Sequence, residues 1–107
     1  MLAAEHRLQK PTDFAVTMRG ARKFRAGELL FYYLPTPTPI KFGFIISKKV
    51  SKLAVVRNRL RRVLGEQIRA KVDLEKLTGN VVITVLQAPQ NDSAAFAASI
   101  DQWLAKL

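Results

Sequence analysis

Apolar residues recur along this chain with two different periods. From Val56 they fall at Val56, Leu60, Val63, Leu64 and Ile68, which is one stripe of an α-helix running to about Val72. Phe96, Ile100, Trp103, Leu104 and Leu107 repeat that spacing, so residues 94–107 read as a second amphipathic helix, capped by Ser93 after a turn at 89–92. A shorter helix starts at Pro11-Thr12-Asp13-Phe14, with Thr12 or Asp13 as cap, and stops at Gly20. Phe14, Val16 or Ala15, and Met18 give it a short apolar face.

Elsewhere the pattern is that of strands. Glu28 to Leu34 (ELLFYYL) has apolar and aromatic residues on both parities: Leu30, Tyr32 and Leu34 share one face, and Leu29, Phe31 and Tyr33 the other. Lys41 to Ser47 (KFGFIIS) is the next strand, expected antiparallel to the first. Val81 to Leu86 (VVITVL) is apolar enough to be buried on both faces, and Arg22-Lys23-Phe24-Arg25 reads as a short basic strand. Between them, Pro35-Thr36-Pro37-Thr38-Pro39 predicts a stiff connection unable to continue a ladder, and 73–80 a loop turning at Gly79. The expected fold class is therefore α+β, a single sheet of about four strands with three helices, in the order α-β-β-β-α-β-α. Residues 1–107 are expected to form one domain, and pattern alone gives a right-handed crossover from KFGFIIS to VVITVL.

Charge changes this picture from a fold to a function. The chain of 107 residues has 18 Lys and Arg against 8 Asp and Glu, a net charge of +10 that calls for a polyanionic partner. The excess is concentrated in Ser47 to Arg69, SKKVSKLAVVRNRLRRVLGEQIR, where Glu66 is the only acid. At about 100° per residue, Arg57 and Arg61 flank the apolar stripe on one side and Arg59 on the other. Asn58, Arg62 and Arg69 point away from the core. The first turn carries cations where the helix dipole favours acids, an arrangement that an anion would relieve. The candidate polyanion-binding residues are Lys48, Lys49, Lys52, Arg57, Asn58, Arg59, Arg61 and Arg62.

The residues offer no catalytic constellation. The acids are scattered, His6 is the sole histidine and reads as solvated, and there is no Walker-type glycine loop and no metal-ligand spacing. With no cysteine, disulfides and zinc fingers are excluded. No apolar run reaches the roughly 18 residues of a membrane span. The N-terminal residues lack the apolar stretch of a signal peptide, so the expectation is a cytoplasmic protein with no membrane partner.

The run Arg57-Asn58-Arg59-Leu60-Arg61-Arg62, preceded by Ser47-Lys48-Lys49-Val50, resembles the signature of the bacterial ribonuclease P protein subunit. The likeness covers nearly the whole chain, from His6-Arg7-Leu8 and Asp13-Phe14 to the last helix. It implies a left-handed crossover in place of the right-handed one. It also implies a catalytic RNA partner that removes the 5′ leader of precursor tRNA with magnesium ions, so Mg2+ belongs to the holoenzyme through the RNA. The protein itself would bind no cofactor and need no obligate protein partner. In that family a leader-binding cleft is lined by aromatics, and Phe14 and Tyr32 match two of those positions. Met18 replaces a second aromatic, and Gly65 and Leu86 stand where basic residues are usual. The competing class is a non-catalytic RNA-binding protein of the ribosomal or chaperone kind. A DNA binder ranks below both, because the apolar stripe packs the basic helix on a sheet.

Overall fold

The computed structural model describes residues 2–107; Met1, at the head of the predicted N-terminal segment, lies outside them. A single 3-10 turn, Ala4–His6, precedes α1 (Pro11–Gly20), β1 (Arg22–Ala26), β2 (Leu29–Pro39) and β3 (Lys41–Ile45). Then come α2 (Ala54–Lys71), β4 (Thr78–Val85) and α3 (Asp92–Leu104). The four strands form one mixed sheet in the order β1-β2-β4-β3. β1–β2 and β2–β4 are antiparallel, whereas β3 and β4 are parallel and joined through α2.

The two parities of β2 face different layers, as the alternation requires. Phe31 stacks on Trp103 of α3 with ring centroids 5.0 Å apart, and Tyr33 and Phe42 meet the same indole edge-on. The stripe of α2 (Leu60, Val63, Leu64 and Ile68) is buried in this core with Phe96 and Ile100 of α3. Leu104 only borders the core, and Leu107, expected within it, is 52% exposed past the end of the helix. α1 crosses the opposite face. Its Phe14 rests on Gly43 of β3, and its Gly20 meets Leu34 of β2.

Several local expectations are corrected. β3 runs antiparallel to β2, as expected, with β4 lying between them. The Pro35–Pro39 run stays extended and belongs to β2. The ladder jumps from Leu34 opposite Asn80 to Pro39 opposite Thr78, so Pro35 and Pro37 lie in an irregular stretch between them that asks for no backbone donors. Opposite that stretch, Gly79 is a strand residue rather than a turn. Its φ of +118° and the Tyr33 ring, whose nearest carbon lies 2.7 Å from where a Cβ would be, explain the glycine. Neither Thr12 nor Asp13 caps α1, since Pro11 occupies the first turn and Lys10 is the cap position. Asn91, not Ser93, caps α3, accepting a hydrogen bond from the Ala94 amide at 3.2 Å. His6 is buried rather than solvated, with its Nδ1 2.8 Å from the Ile40 carbonyl oxygen.

Candidate nucleic-acid interface

The basic helix is held by its apolar stripe from Leu60 onward, while its first turn contributes only the half-buried Val56 to the core. That first turn contains no acid, and Leu53 at the cap position gives no side-chain hydrogen bond. The preceding loop is shaped by its own backbone: Val50 N–H donates to Ser47 O at 3.0 Å, and Leu53 N–H to Ser51 Oγ at 3.2 Å. Arg57 joins loop to helix by donating from Nη1 to Ser51 O at 2.8 Å. Lys48, Lys49 and Lys52 are exposed around this turn and make no ion pair among the described residues. Leu53 and Val55 project beside them, 62% and 72% exposed.

Along the rest of α2 the cations divide between two sides. Arg59 leans on α3, its Nε 3.0 Å from Asp92 Oδ2. Arg62 reaches Glu66 only at 4.0 Å, with both groups largely in water, which makes the pair weak. Arg61 donates to Asn58 Oδ1 at 3.3 Å. Asn58, Arg61 and Arg62, together with Gly65, form one wall of an open cleft of about 450 Å³. Phe14 and the strand residues Phe42, Gly43 and Phe44 form its floor and far wall, and Arg7 and Leu8 close one end. The cleft follows the outer edge of β3. The N-terminal segment covers that edge at Phe42, whose carbonyl accepts from Leu8 N–H at 2.9 Å, and Phe44 is the next position facing outward.

Phe14 and Tyr32 occupy the same face of the sheet but not the same pocket. Register places Lys23, Tyr32, Val82 and Gly43 in one row across β1, β2, β4 and β3, with Phe14 over Gly43. Two strand spacings therefore separate the Tyr32 position from Phe14, about 10 Å. The Lys23 ammonium lies 5.6 Å from the Tyr32 ring centroid, a cation above a half-exposed aromatic. Met18 follows Phe14 by one turn of α1 and is half-buried. Asn58 and Arg62, expected to point away from the core, are indeed exposed, but they face Phe14 across the cleft.

Sequence reasoning assigned none of Arg7, Lys23, Gly43 and Phe44 to a binding site, although Arg7 and Lys23 stood in stretches it named. Gly43 did leave a signal, because a glycine inside a strand of bulky residues marks a close approach. Phe14 is what approaches it. Gly65 is buried in the cleft wall, and outside its own stretch of helix the nearest atom to its missing Cβ is Phe44 Cε2, in ordinary contact at 3.9 Å. Inside a helix it costs roughly 1 kcal/mol relative to alanine.

A mixed sheet presenting a packed helix with cationic free faces and an uncapped start defines an α+β protein with a polyanion-binding surface. The family model for ribonuclease P matches residues 2–107, and the chain belongs to the ribonuclease P protein family. A "Ribonuclease P protein component" from Arthrobacter sp. (strain FB24) is 39% identical over 107 residues, covering 98% of this chain and 74% of that protein. One from Xylella fastidiosa (strain Temecula1 / ATCC 700964) is 30% identical over 89 residues, and the match spans 83% of this chain and 65% of that protein. The Staphylococcus aureus RNase P protein superposes with a TM-score of 0.81 over 94% of each chain at 18% identity, which establishes the common fold. Family membership decides between the two RNA-binding readings and implies partnership with ribonuclease P RNA in tRNA processing. No helix among the described residues is long and apolar enough to cross a membrane.

Proposed function

We propose that this chain holds the catalytic RNA of ribonuclease P through α2 and its preceding loop, and binds the 5′ leader of precursor tRNA across α1 and the sheet. The observation that carries this is the start of α2, uncapped, free of acids and surrounded by Lys48, Lys49, Lys52 and Arg57. Backbone N–H groups and cations converging there suit the phosphates of a folded RNA. Arg59 extends that surface toward α3. Asn58, Arg61 and Arg62 belong to the RNA-binding helix and also border the Phe14 cleft, so two RNA segments would meet at this wall. Phe14, Met18 and Tyr32 supply apolar and aromatic surface for unpaired bases of the leader.

Cleavage itself is assigned to the RNA. The magnesium chemistry is likewise assigned to the partner, as the family resemblance implies. In this reading the holoenzyme is an endoribonuclease of the cytoplasm whose protein orients substrate and screens phosphate repulsion. Reconstitution tests it: purified protein, a bacterial ribonuclease P RNA and a precursor tRNA are combined at low magnesium, where the RNA alone is slow. Cleavage at the mature 5′ end is expected from the mixture and not from the protein. Site-specific cleavage by nuclease-free protein without RNA would overturn the assignment.

A further inference from the structure

We propose that the chain carries a second RNA site on the other face of the sheet, a pocket between β1 and the last turn of α3 that binds one unpaired nucleotide of an RNA strand. Phe14 and Tyr32 are on the opposite face, so this site is independent of the leader reading given above.

The alternation of β1 sends Arg22 and Phe24 to the same face as Phe31 and Tyr33, the face that α3 covers. α3 ends at Leu104, and past it the cover runs out. Trp103 stacks on Phe31 and both are buried, but Phe24 and Tyr33 beside them are only half-buried. There the fold leaves a pocket of about 330 Å³, with Trp103 in its lining. That is the lower end of the range of ligand sites, roughly 300–1,000 Å³. The Tyr33 hydroxyl is already committed, donating to Thr78 O at 2.9 Å, so the ring has its surface to offer.

Charge singles this pocket out. Arg22 lines it from β1, and Lys106 from the last turn of α3, where Lys106 N–H donates to Trp103 O at 2.9 Å. Both side chains are exposed, neither forms an ion pair among the described residues, and no acid lines the pocket. The acids of α3 are used on its other side, Asp92 by Arg59 and Asp101 by Lys71. Cations on an edge strand discourage pairing with another chain, which accounts for Arg22 and Lys23 alone. It does not account for Lys106, which comes from a different element, or for the uncovered aromatic surface between them. Cations flanking open aromatic rings are the combination that binds single strands, with a base on the ring and the adjoining phosphates at the charges. An acidic peptide matches the cations only; a nucleotide matches cations and rings together.

The test fills the other surfaces first. The full chain is assembled with ribonuclease P RNA and saturating precursor tRNA, and a short fluorescent oligouridylate is titrated in. The two RNAs without protein give the background. Protein-dependent binding is expected, with a 4-thiouridine probe crosslinking to Phe24 or Tyr33. Arg22→Glu with Lys106→Glu should weaken it about tenfold or more and flatten its salt dependence by about two in logarithmic slope. Phe24→Leu should cost about tenfold, the worth of one stacked base. Affinity for the RNA subunit and precursor cleavage should change far less. Absence of protein-dependent binding overturns the proposal, as does unchanged affinity in the folded charge-reversed protein. Affinity lost in Phe14→Ala instead would put the oligouridylate in the leader cleft, and equal displacement by polyglutamate would reduce the pocket to a general polyanion patch; either refutes the site. If Phe24→Leu melts early, the charge-reversed protein and the crosslink in the parent decide.

Discussion

Replacing Gly43 by alanine should reveal how firmly Phe14 is seated on the sheet. An ideal Cβ at position 43 would collide with Cε2 and Cζ of the Phe14 ring and lie 3.2 Å from its Cδ2. The backbone cannot give way, because Gly43 is paired with Val82, which has no exposed surface, and is followed and preceded by strand residues in register. The half-buried Phe14 must move instead. Two terms oppose each other. Removing a glycine from a strand interior stabilises by roughly 0.5–1 kcal/mol, and forcing an extra methyl into a filled site costs about 1–3 kcal/mol. The net expectation is a loss of about 1 kcal/mol, read as a fall in melting temperature of about 5 °C for a domain of this size. In a Phe14→Ala background the collision is gone and only the first term remains, so the same substitution should be neutral or mildly stabilising. A four-protein cycle followed by urea and thermal unfolding measures the coupling, expected at about 2 kcal/mol. The Gly43→Ala protein should also lose affinity for precursor tRNA but not for the RNA subunit. Equal destabilisation in both backgrounds would show that the Phe14–Gly43 contact is not what position 43 protects.

Two further outcomes are expected. Changing Arg57, Arg61 and Arg62 together to alanine should leave the protein folded, because Leu60, Val63, Leu64 and Ile68 are untouched, at a cost of about 1 kcal/mol for the lost Arg57–Ser51 hydrogen bond. The salt dependence of RNA-subunit binding should then flatten by up to about three in logarithmic slope, and an unaltered slope would show that these side chains do not meet phosphate. His6→Ala removes the partner of the buried Ile40 carbonyl. A loss of about 1–3 kcal/mol, with faster hydrogen exchange at the Leu8 amide, is expected; unchanged exchange would mean that His6 does not anchor the segment along β3.

What could be read from the sequence follows the range of the interactions involved. The stripes of α2 and α3 and the apolar run of β4 are local patterns imposed by burial of one face or two, and they appear where their periodicity places them. The cation excess of α2 is likewise visible in one stretch of chain. The strand order was not, because inserting β4 between β2 and β3 depends on pairings distant in sequence. Pro35–Pro39 misleads for the same reason: prolines forbid a regular ladder, but an irregular stretch opposite Gly79 lets the strand stay extended. The burial of His6 depends on one carbonyl at Ile40, and nothing around His6 announces it. The cleft was half legible. Phe14, Asn58, Arg61 and Arg62 each stand out singly, but only α1 crossing the sheet to Gly43 brings the ring opposite the arginines.

The three α-helices among the described residues begin in different ways, and the difference supports the proposed role of α2. α1 starts with Pro11 and has Asp13 in its first turn; α3 starts with Asn91 hydrogen-bonded to the Ala94 amide and has Asp92 in its first turn. Both satisfy or offset the exposed N–H groups and the partial positive charge of a helix start. The same chain therefore places an acid in the first turn of its other two α-helices, and a side-chain cap on α3. α2 uses neither, adds cations, and leaves Leu53 and Val55 in water, so an ordinary cap worth about 1 kcal/mol is forgone. Its other end is conventional, with Arg69 and Lys71 in the last turn, and Lys71 held 3.0 Å from Asp101. The core anchors α2 from Leu60 to Ile68, and that anchorage lets the first turn remain electrostatically unfinished. In the proposed function, RNA phosphate set against that turn supplies the missing acceptors and the missing negative charge together, and so offsets the free energy forgone in the isolated protein.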